Sequence, residues 1–344
     1  MDMRRILVTG SDGYIGAVLI NKLLEKGYEV TGLDTLFFKN SILGNYNPKY
    51  RLIKSDVRQI QNINLSKFDA VIHLAALSND PMGEIDTVLT EEINYKATID
   101  LAKKAKKEGI KRFIYSSSCS LYGVSKQEIV NENSKVNPLT AYAKSKVDSE
   151  NELKKIADEK FCVCLPRNST VFGYSPKFRD DLVVNNLITS AVALKKIFVK
   201  SDGTPWRPLI DVRDLANIFI DFLNIDSYLV NGQVINIGFN DSNYQVNDIL
   251  KIIKEQVPLC AVIYTGEHGA DTRSYRVSFD KFVSLFPSTK QEWPLQRSAR
   301  DLIDKLEKLM FSEKDLNPNN YNRIEVLKRL ISDEKIDKKL FWIH

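Results

Sequence analysis

The chain has 344 residues, 43% hydrophobic and 27% charged, which excludes both a disordered chain and a single small domain. Lys and Arg number 49 against 44 Asp and Glu, so the net charge of +5 is small and spread along the chain. The densest basic stretch (Lys103, Lys104, Lys106, Lys107) lies in an amphipathic pattern and reads as a solvated helix face, not a nucleic-acid surface.

The first half alternates short apolar runs with helix-length patterns. In chain order the runs are Ile6-Leu7-Val8, Glu29 to Leu33, Arg51-Leu52-Ile53, Ala70-Val71-Ile72, Phe113-Ile114-Tyr115 and Cys162 to Leu165. Ile15 to Leu24 and Ile93 to Ala105 carry apolar residues at three- and four-residue spacing. This alternation predicts an α/β fold with a doubly wound parallel sheet covered on both faces. After about Arg167, prolines at 176, 205, 208, 258, 287 and 294 interrupt the rhythm, which predicts a smaller substrate-facing lobe. Ile210 to Leu223 and Val234 to Ile237 are expected to return to the first domain. The tail from about Ser298 reads as two charged amphipathic helices.

Cys119, Cys162, Cys164 and Cys260 show no CxxC spacing, and Cys162 and Cys164 alternate onto one face of a buried strand. They read as core cysteines in a reducing compartment. His73, His268 and His344 form no ligand pattern, so no metal is expected. No stretch has the length of a membrane span, and the first strand begins close to Met1, so a cytoplasmic protein without a membrane partner is expected.

The first strand runs into Gly10-Ser11-Asp12-Gly13-Tyr14-Ile15-Gly16 and then directly into a helical pattern. Glycines at these spacings suit a tight turn, a close backbone approach to a pyrophosphate, and close helix-to-sheet packing. Asp34 ends the next strand, where a carboxylate accepts hydrogen bonds from ribose hydroxyls and repels a 2′-phosphate. No Lys or Arg immediately follows it, so NAD is favoured over NADP. Asp56-Val57 closes the third strand, where the carboxylate could meet the adenine amino group. His73-Leu74-Ala75-Ala76 closes the fourth, where small residues let a cofactor pass the backbone; His73 itself reads as a packed histidine.

Tyr142-Ala143-Lys144-Ser145-Lys146 opens a helical pattern, so Tyr142 and Lys146 share a face. A phenol with an ordinary pKa of about 10 becomes a usable base when an ammonium stabilises its phenolate. Lys146 could also hydrogen-bond a nicotinamide ribose. Alone, such a spacing is mostly helix surface; behind a phosphate turn, an acid and the strand end Ser116 to Gly123 it carries more.

This ordered set resembles the extended short-chain dehydrogenase/reductases, and more narrowly their nucleotide-sugar epimerase and dehydratase branch, across nearly the whole chain. The resemblance implies a Rossmann-type cofactor domain over 1–168 with 210–238 returning to it. It further implies a substrate lobe over 169–209 and 239–300, followed by a helical tail over 301–344. It places the catalytic serine on Ser118, the cofactor-supporting asparagine on Asn94, and Ser116 beside the cofactor. The implied chemistry has Tyr142 take the proton of a sugar hydroxyl, usually at C4, while the NAD cofactor takes the hydride.

In the 4,6-dehydratases an acidic pair follows the catalytic serine, but here those positions are Cys119 and Ser120, which disfavours dehydration. Cys119 as an acid/base competes with simple packing, since the fucose-synthase-like relatives place their cysteine one residue later. For a nucleotide-diphosphate sugar the resemblance points to Asn168, Arg179, Asn186 of Asn185-Asn186-Leu187, Arg207, and Arg273 near Asp271 and Tyr275. Thr170 and His268 depart from the residues many relatives carry there. A 4-epimerase is expected, with a 4-dehydrogenase or 4-ketoreductase close behind; the intact Ser118, Tyr142 and Lys146 weigh against a non-catalytic NAD- or RNA-binding relative. A homodimer through helices spanning roughly 84–108 and 140–158 is expected by the same resemblance.

Overall fold

The computed structural model describes residues 4–78, 86–266 and 274–343. Seven strands form the main sheet: β1 (Arg5–Thr9), β2 (Glu29–Asp34), β3 (Arg51–Lys54), β4 (Ala70–His73), β5 (Arg112–Tyr115), β6 (Cys162–Asn168) and β7 (Gln233–Ile237). They pair in parallel in the order β7-β6-β5-β4-β1-β2-β3, and the short strand Ser117–Ser118 adds to β6. The chain folds as the doubly wound Rossmann-type sheet with an attached lobe that the alternation predicts.

Successive side chains of a strand face opposite sides, and here they sort into two cores. Leu7, Val71, Phe113 and Val163 face one side, meeting Ala102 and Ala105 of α2 (Ala97–Lys107) and Leu153 of α3 (Ala141–Ile156). Ile6, Val8, Ile72, Ile114, Cys162 and Cys164 face the other. There they meet Leu19 and Leu23 of α1 (Tyr14–Glu25) and Phe219 and Phe222 of α5 (Val212–Asn224). Burial on both faces explains why these strands read as continuous apolar runs. The strand order reverses between β1 and β4, which opens a crevice at their carboxyl ends.

The lobe has its own core. α4 (Val183–Leu194), α6 (Val246–Gln256) and α7 (Leu295–Lys308) close over Leu209, Ile249 and Leu302. Two features depart from the boundaries read from sequence. Val124–Val130, which lies before the lobe in sequence, pairs with Ser274–Val277. The tail divides, for α7 packs in the lobe core whereas Val326, Leu327 and Leu330 of α8 (Arg323–Ser332) join the first core of the main sheet. Their apolar stripes were legible; which surface each would cover was not. Among the described residues no helix is long and apolar enough to cross a membrane, and no cluster of metal-ligating side chains occurs.

Candidate active site

The glycine turn sits at the mouth of the crevice. Gly10 has φ +70°, and a Cβ there would lie 2.8 Å from the Ala75 backbone nitrogen, so only glycine allows the turn to press on the end of β4. A Cβ on Gly16 would lie 2.2 Å from the Gly10 carbonyl oxygen. Gly13 caps α1 without a side-chain bond, which leaves first-turn N–H groups for an anion. Tyr14 and Ile15 supply that turn's backbone. The Tyr14 hydroxyl points away, donating to the Gly173 carbonyl at 2.6 Å and receiving the Asn185 amide at 3.2 Å.

Asp34 accepts the backbone N–H groups of Asp12 at 2.9 Å and Leu36 at 2.8 Å. Burial pushes its carboxyl up to about 6, with Asp12 adding repulsion and the two N–H groups opposing it. The folded protein therefore holds this proton between about pH 4 and 6, where an unfolded chain releases it. The resulting stability is present below that window and is lost as pH rises through it. Ribose hydroxyls donate best to the ionised form, so NAD affinity is expected to strengthen from pH 5 to pH 7. Asp34→Ala should flatten that rise and erode the preference for NAD over NADP in binding titrations. A wild-type preference for NADP would contradict this role for Asp34.

The end of β3 is already engaged. Both Asp56 oxygens bind Arg58, at 2.9 and 2.7 Å, and one also caps the following turn. An adenine amino group would have to share this carboxylate with Arg58. Val57 is buried in the core. Leu74 bonds the Thr9 carbonyl and Ala75 the Thr9 hydroxyl, carrying the chain past Gly10 toward Ala76.

His73 is structural. The Thr98 hydroxyl donates to the Asn94 carbonyl and so receives His73 Nε2–H at 2.8 Å, leaving Nδ1 to accept from Thr9 at 2.6 Å. Burial holds this imidazole down to about 3, so it stays neutral. A π-helical turn over Glu91–Lys96 presents Asn94 to the strand end. Its amide exchanges hydrogen bonds with the Leu77 N–H (2.8 Å) and carbonyl (3.1 Å), and it reaches Ser145 on α3.

Tyr142 and Lys146 lie on the first turns of α3, capped by the Thr140 hydroxyl on the Ala143 N–H. Lys146 Nζ sits 5.4 Å from the Tyr142 ring centre and 4.7 Å from that of Tyr115, and donates to the Ser116 carbonyl at 2.7 Å. Burial pulls its pKa down to about 7, against the pull of Glu150 one turn on. Ser118 ends the short strand beside β6; its hydroxyl meets the Ser120 hydroxyl at 2.9 Å and receives the Ser120 N–H. Asn168 donates to Ser116, while its Oδ1 is buried with no partner among the described residues, a free acceptor at the strand end.

Cys119 requires a correction. It is 1% exposed in a core with Leu121 and Tyr122, its thiol donates to the Arg167 carbonyl at 3.2 Å, and burial pushes its pKa well up. Its side chain packs the core and is out of a sugar's reach.

The substrate-side candidates disperse. Arg179 forks onto Asp181 at 2.9 and 2.8 Å and donates to Ser78. Asn186 is exposed on α4, whereas its neighbour Asn185 is fully buried, holding the Gly173 N–H and the Arg179 carbonyl. Arg207 lies on the lobe strand Trp206–Asp211 and donates to the Trp206 carbonyl. Arg273, His268 and Asp271 lie outside the described residues.

Two buried ion pairs were missed from sequence. Lys177 joins Asp12 in the glycine turn at 2.8 Å and the Lys39 carbonyl at 2.9 Å. Arg167 forks onto Glu150 at 2.9 and 2.7 Å, with Ser117 and Tyr122 completing the network. No local pattern announces either pair.

Residues 6–238 match the model of the NAD dependent epimerase/dehydratase family. The chain belongs to this family. A candidate UDP-glucose 4-epimerase of Methanocaldococcus jannaschii is 29% identical over 259 residues, covering 73% of this chain and 82% of its own. The mouse dTDP-D-glucose 4,6-dehydratase is 26% identical over 313 residues, covering 84% of this chain and 85% of its own. Among solved structures, the NAD-dependent NDP-hexosamine 5,6-dehydratase TunA superposes with a TM-score of 0.80 at 22% identity, over 89% of this chain and 98% of its own. This family member is an NAD-dependent enzyme, and its glycine turn, Asp34 and Lys146 fit that cofactor.

Proposed function

We propose that this family member is a nucleotide-sugar 4-epimerase working through a transient 4-keto sugar. The observation that carries the reading is what surrounds Ser118. The next two positions hold a core-buried cysteine and a serine whose hydroxyl meets that of Ser118. Neither is one of the acidic residues that the 4,6-dehydratase pattern carries at these positions, so the usual acid and base for eliminating a sugar hydroxyl are missing there.

In this reading Tyr142 takes the proton from the C4 hydroxyl, Ser118 hydrogen-bonds the same oxygen, and Lys146 favours the phenolate by its charge. NAD, when bound, accepts hydride from the sugar carbon and gives it back. The Asn94 and Ser145 contacts hold α3 against the end of β4, so the acid–base pair keeps its distance from the cofactor crevice. Arg207 and Asn186 stand on the lobe side for a nucleotide diphosphate. The similarity to epimerases and dehydratases alike supports the sugar-nucleotide class of substrate.

The test is mass spectrometry and NMR of products from a panel of UDP-, GDP-, dTDP- and CDP-sugars. An unchanged mass with inverted C4 is the expected outcome. Gain or loss of two hydrogens would replace the reading with a 4-ketoreductase or 4-dehydrogenase, and loss of water with a dehydratase.

A further inference from the structure

The last residues of the chain grip the two strand ends that bracket the adenosine half of a dinucleotide. In a doubly wound sheet that half lies over the carboxyl ends of β2 and β3. Beyond α8 the chain forms a small closed turn, in which Asp337 exchanges backbone hydrogen bonds with Phe341 and Leu340, and Ile336 bridges to Trp342. Ile336 and Leu340 are buried in the main-sheet core beside Val57, so the turn is anchored.

From this anchor two aromatic side chains extend to the cofactor side. The Trp342 indole N–H donates to the Thr35 carbonyl at 2.7 Å, one residue past Asp34. Its ring lies 5.7 Å from Phe37, with Lys54 at the end of β3 4.8 Å over it. The Phe341 ring lies 3.8 Å beneath the Arg58 guanidinium, the same group that forks onto Asp56 and also donates to the Leu340 carbonyl at 3.4 Å. Arg58 Nη1 is buried without a hydrogen-bond partner among the described residues, so the guanidinium is held through Nε and Nη2 by Asp56 and the Leu340 carbonyl, and by the Phe341 ring beneath it.

We infer that the carboxy-terminal turn, through Phe341 and Trp342, is the outer wall of the adenosine subsite and sets how tightly NAD is held. Trp342 holds the Thr35 carbonyl next to the ribose acid Asp34, and Phe341 with the Leu340 carbonyl holds the Arg58 that forks onto Asp56, so loosening the turn slackens both strand ends at once. Pre-positioned partners bind more tightly because less ordering remains to be done on binding. The inference deepens the epimerase reading, in which the cofactor must stay to return its hydride, but it concerns binding alone and can fail independently of the reaction.

The test is calorimetric titration of the full chain, freed of cofactor, with NAD and separately with ADP-ribose, which keeps the adenosine end and lacks nicotinamide. Trp342→Ala is expected to weaken both by about tenfold, while the unfolding temperature of the ligand-free protein stays within about 2 °C of wild type. Trp342→Phe keeps the ring and loses the N–H to Thr35, so it should fall between the two. Unchanged affinity for both ligands, or a loss confined to NAD, would overturn the inference. So would a Trp342→Phe variant that binds like wild type beside a Trp342→Ala variant whose ligand-free form has lost its fold, since the tail would then be structural only.

Discussion

Replacing Tyr142 by Phe is expected to lower kcat by about 10²–10⁴-fold, the usual contribution of a positioned general base. The variant keeps the ring that packs near Lys146 and loses only the phenol. The ammonium 5.4 Å from that ring is the charge able to stabilise a phenolate. Because burial lowers Lys146 to about 7, the ligand-free enzyme carries this charge below neutrality and loses it as pH rises through that value. The linked stability runs the other way. Holding a buried ammonium is unfavourable below pH 7, and the penalty fades as pH rises toward the ordinary lysine range. Steady-state turnover with the nucleotide sugar that the product panel identifies measures the effect. Turnover within a few-fold of wild type would remove Tyr142 as the base.

Glu150→Ala is expected to cost about 3–5 kcal/mol of folding stability, the largest stability effect of any single change near the site. Glu150 and Arg167 have side chains only 2% and 5% exposed. Removing the carboxylate strands a guanidinium that desolvation has already made expensive. Ser117, which donates to Glu150, loses its acceptor in the same step, and Arg167 keeps only Tyr122 among its side-chain partners. Denaturant unfolding of the cofactor-free protein measures it. The double change Glu150→Met with Arg167→Met should lose markedly less, because no charge is left buried. A Glu150→Ala loss below about 1 kcal/mol would show that the pair is not the anchor of α3. Since Glu150 lies one helical turn beyond Lys146, the network ties α3 to the end of β6.

The candidate site residues were legible as positions in the fold because local rules place them. A glycine turn between strand and helix, an acid closing the next strand, and a tyrosine and lysine one helical turn apart each have a short sequence signature. The alternation of apolar runs with helical stripes likewise points to a doubly wound sheet, since strands buried on both faces read as near-continuous apolar runs. For Cys119 the sequence left packing and chemistry in competition, because proximity to Ser118 along the chain says nothing about facing; the fold buries its side chain in the core with Leu121 and Tyr122.

What the tertiary structure alone decided joins distant positions. Asp12 and Lys177 are 165 residues apart, and Thr35 and Trp342 are 307 apart; no periodicity connects them. The same holds for Val124–Val130, which leaves its own half of the chain to pair with Ser274–Val277. Hydrophobic patterning specifies that a face will be buried and leaves its partner open. The sequence therefore determined the sheet, its glycine turn and the shared helix face of Tyr142 and Lys146, while the packing of lobe and tail decided which charges are paired behind them and where Trp342 meets the end of β2.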